Sequence, residues 1–129
     1  MKPELMLLVW MVVLMFAQML VAATGAFLQV GLTKLASNRD NMPAIAGWGG
    51  RAQRAHLNML ENIVLFAPLV LVAVFVGKTN DMTLLGAQIF VWARLAYAVT
   101  YIAGIIWLRT LIWFTSVIGL ILIFLQLVK

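Results

Sequence analysis

Cysteine is absent from this sequence of 129 residues, and acidic residues and histidine are scarce. Without cysteine, the chain has no disulfide bond, no thiolate metal ligand and no thiol nucleophile of its own. One histidine and four acidic residues are too few to favour a metal site built by the chain alone, so we expect no metal. Any sulfur chemistry must therefore use a sulfur atom that a ligand brings.

Charge is equally scarce. Only 10% of the residues are charged and 65% are hydrophobic, whereas soluble domains have about 25% and about 45–50%. On folding, a soluble domain of this size buries only about two-thirds of the surface that its unfolded chain exposes, so it could not bury this much apolar surface. The composition therefore predicts an integral membrane protein with lipid as a partner. The net charge of +5 does not indicate nucleic-acid binding, because the basic residues cluster at the ends of the apolar runs, where lipid headgroups lie.

Four apolar runs are each long enough to span a bilayer, which takes about 20 residues. A retained first span is favoured over a secretory signal because its uncharged run is too long for a signal core. Turn residues separate the runs, and a brief break is expected near Trp107–Arg109. We predict an all-α fold, an integral membrane antiparallel four-helix bundle forming a single domain over residues 1–129. The predicted spans are about 5–33, 51–76, 82–106 and 109–128.

Polar residues inside these spans fall on single helix faces. At the helical period, the polar residues that open the second span share an arc about 100° wide, and those of the third span form one stripe. His56 points in another direction from the rest of the second span. The second-span residues are Arg51, Arg54, Asn58, Glu61 and Asn62, and the third-span residues are Arg94, Tyr97 and Tyr101.

Such stripes cannot face lipid. An arginine at the centre of a span costs about 2.5–3.5 kcal/mol, so Arg94 should face the bundle interior and pair with an anion. Glu61 is the only acidic residue within a predicted span and is the expected partner; a helix-locking pair between the two is the purely structural interpretation. One carboxylate cannot neutralise Arg51, Arg54, Arg94 and Arg109 together. The excess charge indicates an anionic ligand, open water at the helix ends, or both.

A ligand matched to this charge would carry more than one carboxylate, and an amine for Glu61 and Asn58. The tyrosine hydroxyls and an arginine could stabilise a developing anion. If that anion is a thiolate, lowering its pKa by two units needs about 2.7 kcal/mol. One close arginine in a dry site can supply this much.

Two segments resemble the signature of the MAPEG family, the membrane-associated proteins of eicosanoid and glutathione metabolism. The first runs from Arg51 to Asn62 and continues with Phe66-Ala67-Pro68-Leu69; the second is Arg94-Leu95-Ala96-Tyr97, followed by Tyr101 and Arg109. The resemblance implies a homotrimer that binds glutathione between neighbouring subunits.

The resemblance also implies a role for each matching residue. Arg109, with Tyr101, would activate the glutathione sulfur, and Glu61 would hold the amine. His56 matches a polar residue that reaches the adjacent subunit, and Lys34 or Arg39 matches a basic residue that follows the first helix. The expected glutathione-binding residues are Lys34, Arg51, Arg54, His56, Asn58, Glu61, Arg94, Tyr97 and Tyr101.

By this resemblance, we expect a multi-pass protein of a bacterial inner membrane that uses glutathione as co-substrate. It would conjugate lipophilic electrophiles or reduce lipid hydroperoxides, without a metal. One alternative is a non-catalytic, lipid-binding member of the family. Another is a small four-helix multidrug exporter, which the predominance of arginine within the spans disfavours because arginine repels cationic cargo.

Overall fold

The computed structural model describes all residues from Met1 to Lys129 and contains four α-helices. Each helix is long and apolar enough to cross a membrane, which agrees with the predicted integral membrane four-helix fold. The helices are α1 (Pro3–Ala36), α2 (Gly47–Phe75), α3 (Asp81–Ala103) and α4 (Ile106–Val128).

The buried residues of α1 recur at intervals of seven. They are Glu4, Met11, Gln18 and Gly25, so one narrow seam of this helix faces the bundle while most other positions are exposed. A spacing of seven keeps residues on one side of a helix. The helix has a kink at Gly31, whose φ of +81° is unsuitable for other residues.

The second helix begins at Gly47 rather than at Arg51. The glycine-rich segment before Arg51, which was expected to be a loop, is the first turn of this helix and packs against α1. A Cβ added to Gly25 of α1 would lie 2.6 Å from the Cα of Gly49, so the two backbones pack almost directly against each other. Gln29 of α1 holds Ala46, the residue that precedes α2. The Gln29 Nε2 donates to the Ala46 carbonyl at 2.7 Å, and the Ala46 N–H donates to the Gln29 Oε1 at 2.8 Å.

The break between α3 and α4 lies at Gly104 and Ile105, earlier than the expected break near Trp107–Arg109. Gly104 has φ +85°, and it caps α3 in the left-handed conformation that glycine adopts without strain. Further along, α3 and α4 approach closely, since a Cβ added to Gly119 would lie 2.6 Å from the carbonyl oxygen of Gly86.

Contacts between chain segments define the two ends of the bundle. The ammonium of Lys2 donates to the Thr79 hydroxyl at 3.0 Å, and that of Lys78 donates to the Leu127 carbonyl at 3.0 Å. The starts of α1 and α3 and the ends of α2 and α4 therefore share one end, and α1 runs parallel to α3. We call the opposite end, where α2 and α4 begin, the arginine end. Between the ends, the Phe66 and Phe90 rings stack at 4.2 Å within the apolar core.

Candidate functional site

Two cationic side chains contact Tyr101 at the arginine end. It lies in the last turn of α3, opposite the first turns of α2 and α4. The Arg54 Nε donates to the Tyr101 hydroxyl oxygen at 3.2 Å. The guanidinium carbon of Arg109 lies 4.3 Å from the centroid of the same ring, an arrangement that attracts a cation to the ring face. Arg51 is anchored nearby, because its Nε donates to the Ile102 carbonyl at 2.9 Å.

Arg94 lies deeper, in the middle of α3, and is 1% exposed. Its Nη2 donates to the Oδ1 of Asn58 at 2.8 Å, and its guanidinium carbon lies 4.3 Å from the centroid of the Tyr97 ring. Asn62 holds Asn58 in turn, through bonds of 2.7 Å to the backbone carbonyl and 3.1 Å to Oδ1. The Nε and Nη1 atoms of Arg94 are buried and have no partner.

Glu61, the expected partner of Arg94, does not pair with it within the chain, so the purely structural interpretation of a helix-locking pair is wrong. Glu61 is exposed and makes no side-chain hydrogen bond, whereas Asn58, almost one helical turn earlier, takes the position beside Arg94. The neutral amide accepts a hydrogen bond and leaves the charge of Arg94 unbalanced.

A cavity of about 180 Å³ opens among α2, α3 and α4 beside these residues. Two of its lining residues, Thr110 and Trp113, were not predicted, because the predicted polar faces lay on the second and third spans only. With α4 beginning at Ile106, residues 109, 110 and 113 share one helix face, and that spacing was the available signal. The cavity is lined by Asn58, Tyr97, Arg109, Thr110 and Trp113.

Positive charge around this cavity is not balanced by the chain. None of the four arginines hydrogen-bonds to a carboxylate: their partners are a backbone carbonyl, a tyrosine hydroxyl and an asparagine oxygen, while Arg109 lies against a ring. No group of three His, Asp or Glu side chains is placed to hold a metal ion. The arrangement can bind an anion and stabilise negative charge that develops beside Arg109.

Two of the predicted site residues lie outside this cluster. The Lys34 ammonium donates to the Asp40 carbonyl at 3.0 Å, within the segment that joins α1 to α2. His56 is half-buried, its Nδ1 is buried without a partner, and it does not line the cavity. Within one chain, the site therefore contains residues of α2, α3 and α4 only.

The sequence profile of the MAPEG family matches residues 5–129, nearly the whole chain. The chain belongs to the MAPEG family. It is thus a membrane protein of the glutathione and eicosanoid metabolism for which the family is named. Comparisons with curated proteins and with solved structures gave no match to this MAPEG chain.

MAPEG proteins use glutathione, and the donors present suit its chemistry. Glutathione carries two carboxylates, an ammonium and a thiol. The guanidinium groups of Arg54 and Arg109 match the anions, Asn58 can donate or accept, and the unpaired carboxylate of Glu61 matches the ammonium. The cavity of about 180 Å³ is smaller than the roughly 300 Å³ at the lower end of ligand sites.

Proposed function

We propose that this protein binds glutathione at the arginine end and presents its thiolate to lipophilic electrophiles or lipid hydroperoxides that arrive from the bilayer. The observation that carries the proposal is the unbalanced positive charge beside a cavity that Arg109 lines. Family membership supports glutathione as the thiol that brings the missing negative charge. The product of conjugation would be a thioether, with release of the leaving group where the electrophile carries one. With a second glutathione, a lipid hydroperoxide would give an alcohol, water and glutathione disulfide.

Arg109 and Tyr101 are the proposed catalytic residues. The Tyr101 oxygen accepts a hydrogen bond from Arg54, so its own O–H remains free to donate to a sulfur anion. Arg109 lies over the ring of the same tyrosine and provides a positive charge next to the cavity. Lowering the thiol pKa by two units takes about 2.7 kcal/mol, which one arginine close to the sulfur can supply in a dry site.

The remaining residues would bind and position glutathione. We assign its carboxylates to Arg51 and Arg54, and its ammonium to Glu61, with Asn58 and Tyr97 lining the cavity. Arg94 acts from behind the cavity: it is buried and holds Asn58 by a hydrogen bond and Tyr97 by its ring.

A neighbouring subunit would complete the pocket. The small cavity volume supports this proposal, as does the position of Lys34 and His56 outside the cavity of their own chain. In a homotrimer, these two side chains would reach glutathione bound to the adjacent subunit.

Calorimetric titration of the detergent-solubilised protein with glutathione tests the binding site. Arg54→Ala and Glu61→Ala should each weaken binding at least tenfold, because each removes a charged contact worth about 1.5–3 kcal/mol. Lys78→Ala is the matched control, since Lys78 is exposed and donates to the Leu127 carbonyl at the opposite end of the bundle. If both site variants bind as tightly as the parent, the site is misplaced.

A second experiment separates binding from catalysis. Arg109→Ala should raise the pKa of bound glutathione, measured from thiolate absorbance against pH, more than it weakens binding. An unchanged thiolate absorbance would remove Arg109 from the chemistry. Turnover is measured with a chloronitroaromatic substrate and with a lipid hydroperoxide; binding of glutathione without turnover of either would identify a non-catalytic, lipid-binding member.

A further inference from the structure

Gln18 is a buried polar residue in the middle of a membrane-spanning helix. It is 4% exposed, and its Oε1 is fully buried with no hydrogen-bond partner. It belongs to the buried seam of α1, seven residues before Gly25. Hydrocarbon offers no water to an unpaired polar group, so an acceptor in this position requires a donor within the protein.

His56 of α2 has the complementary deficit. It is half-buried, and its Nδ1 is fully buried with no hydrogen-bond partner. The Nε2 atom is not enclosed in this way, so one ring nitrogen faces the interior and the other is accessible. A neutral imidazole carries its proton on only one nitrogen, and the hydrogen bond that this proton makes selects the tautomer.

Contacts at the arginine end fix the register between α1 and α2. Gly25 and Gly49 pack backbone to backbone, since a Cβ added to Gly25 would lie 2.6 Å from the Gly49 Cα. Four residues after this glycine on α1, Gln29 bonds to Ala46, which lies three residues before the glycine of α2. Both contacts follow one antiparallel pairing of the two helices.

This register places Gln18 opposite His56. Gln18 lies seven residues before the glycine of α1, and His56 lies seven residues after the glycine of α2. A step of seven residues is nearly two turns, so each residue stays on the same side of its helix as its glycine. Because the helices are antiparallel, both steps lead about 10 Å the same way along the bundle. Another seven residues along, Met11 belongs to the apolar core cluster and Ile63 packs against that cluster, in agreement with this register.

We propose that Gln18 is a positioning residue for His56, because its Oε1 accepts a hydrogen bond from the Nδ1–H of the imidazole. This bond would satisfy both buried atoms at once. It requires a turn of the Gln18 amide, whose terminal torsion is soft. With the proton held on Nδ1, the accessible Nε2 keeps its lone pair and can accept a hydrogen bond but not donate one.

The tautomer determines which group His56 can recognise, and this consequence rests on the proposed function. There, His56 reaches glutathione bound to the adjacent subunit. The Nε2 lone pair would select an N–H of glutathione, from its ammonium or one of its two peptide groups, and not a carboxylate. Gln18 would thus determine the direction of a hydrogen bond in a site whose cavity it does not line.

The single histidine of the chain makes the tautomer directly measurable, because ¹⁵N-labelled histidine gives the NMR signals of His56 alone. The protein is purified without a histidine tag and measured in detergent at about pH 8.5, where an ordinary imidazole is neutral. In the parent, Nδ1 should be protonated and Nε2 unprotonated. A parent spectrum in which Nδ1 is mainly unprotonated would overturn the proposal.

Three variants test whether Gln18 holds this proton. Gln18→Met removes the acceptor at a similar side-chain length, and the proton should be lost from Nδ1 and appear on Nε2. Gln18→Glu keeps an oxygen acceptor, so Nδ1 should stay protonated. Met19→Leu is the matched control, because Met19 is the exposed neighbour of Gln18 on α1 and its substitution should leave the spectrum unchanged.

A spectrum of Gln18→Met identical to that of the parent would overturn the pairing. If Gln18→Met does not fold, the parent decides the pairing through the cross-peak between the Nδ1 proton and the side-chain amide protons of Gln18, whose absence would overturn it.

Glutathione titration provides the functional readout. Gln18→Met should weaken binding about two- to tenfold, the equivalent of one lost hydrogen bond, whereas Met19→Leu should bind as the parent does. Unchanged binding in Gln18→Met would overturn the effect on recognition. If the parent itself binds no glutathione, the proposed function fails, while the histidine spectrum still decides the pairing of Gln18 with His56.

Discussion

The hydrogen bond from Arg94 to Asn58 is the one protein contact that satisfies a donor of this buried guanidinium. Asn58→Leu removes it and also removes the bond from Asn62 to Oδ1. A hydrogen bond to a charged group contributes about 1.5–3 kcal/mol and a neutral one about 0.5–1.5 kcal/mol. We therefore expect Asn58→Leu to lower the free energy of unfolding by about 2–4 kcal/mol.

Equilibrium unfolding in mixed micelles, followed by circular dichroism, measures this loss. Asn58→Asp should be at least as stable as the parent, because its carboxylate keeps the acceptor and neutralises the charge of Arg94. Glu61→Gln is the control on the same helix, and we expect a change within about 0.5 kcal/mol because Glu61 is exposed and unbonded. If Asn58→Leu unfolds like Glu61→Gln, the assigned role of Asn58 is incorrect.

Three further outcomes are expected. Gly119→Ala should lower the free energy of unfolding by about 1–3 kcal/mol in the same micelle assay, because its new methyl group would lie 2.6 Å from the Gly86 carbonyl oxygen; an unchanged value would contradict the close packing of α3 and α4. Gln29→Ala should increase cleavage by protease between residues 37 and 46, because it removes both hydrogen bonds to Ala46, and cleavage at the parent rate would refute that anchor. Glutathione at 100 times its dissociation constant should stabilise the protein by about 2.7 kcal/mol, and its removal by dialysis should reverse the effect; no shift in the unfolding midpoint would argue against binding to the folded state.

Hydropathy was sufficient to predict four helices that are each long and apolar enough to cross a membrane. Arg94 and Tyr97 are three residues apart on α3 and do share a face, and Asn58 does meet them from α2. This success has a physical basis: lipid excludes charged groups so strongly that any in-span arginine must turn inward. Membership of the MAPEG family agrees with the signature residues on these same faces.

The partner of Arg94 could not be predicted from the sequence. Glu61 and Asn58 differ by less than one helical turn, and which of them meets α3 depends on the rotation and depth of α2. Those quantities are set by close glycine contacts such as Gly25 with Gly49, which a single sequence does not distinguish from loop glycines. The start of α4 was misplaced for a related reason, since Gly104 was not recognised as a helix terminator.

The connection between α3 and α4 consists of Gly104 and Ile105 alone. So short a link couples the rotation of α4 directly to the end of α3. One inserted residue would turn α4 by about 100° and move Arg109 away from the ring of Tyr101. Relatives that keep this pair should therefore also keep the length of the link between α3 and α4.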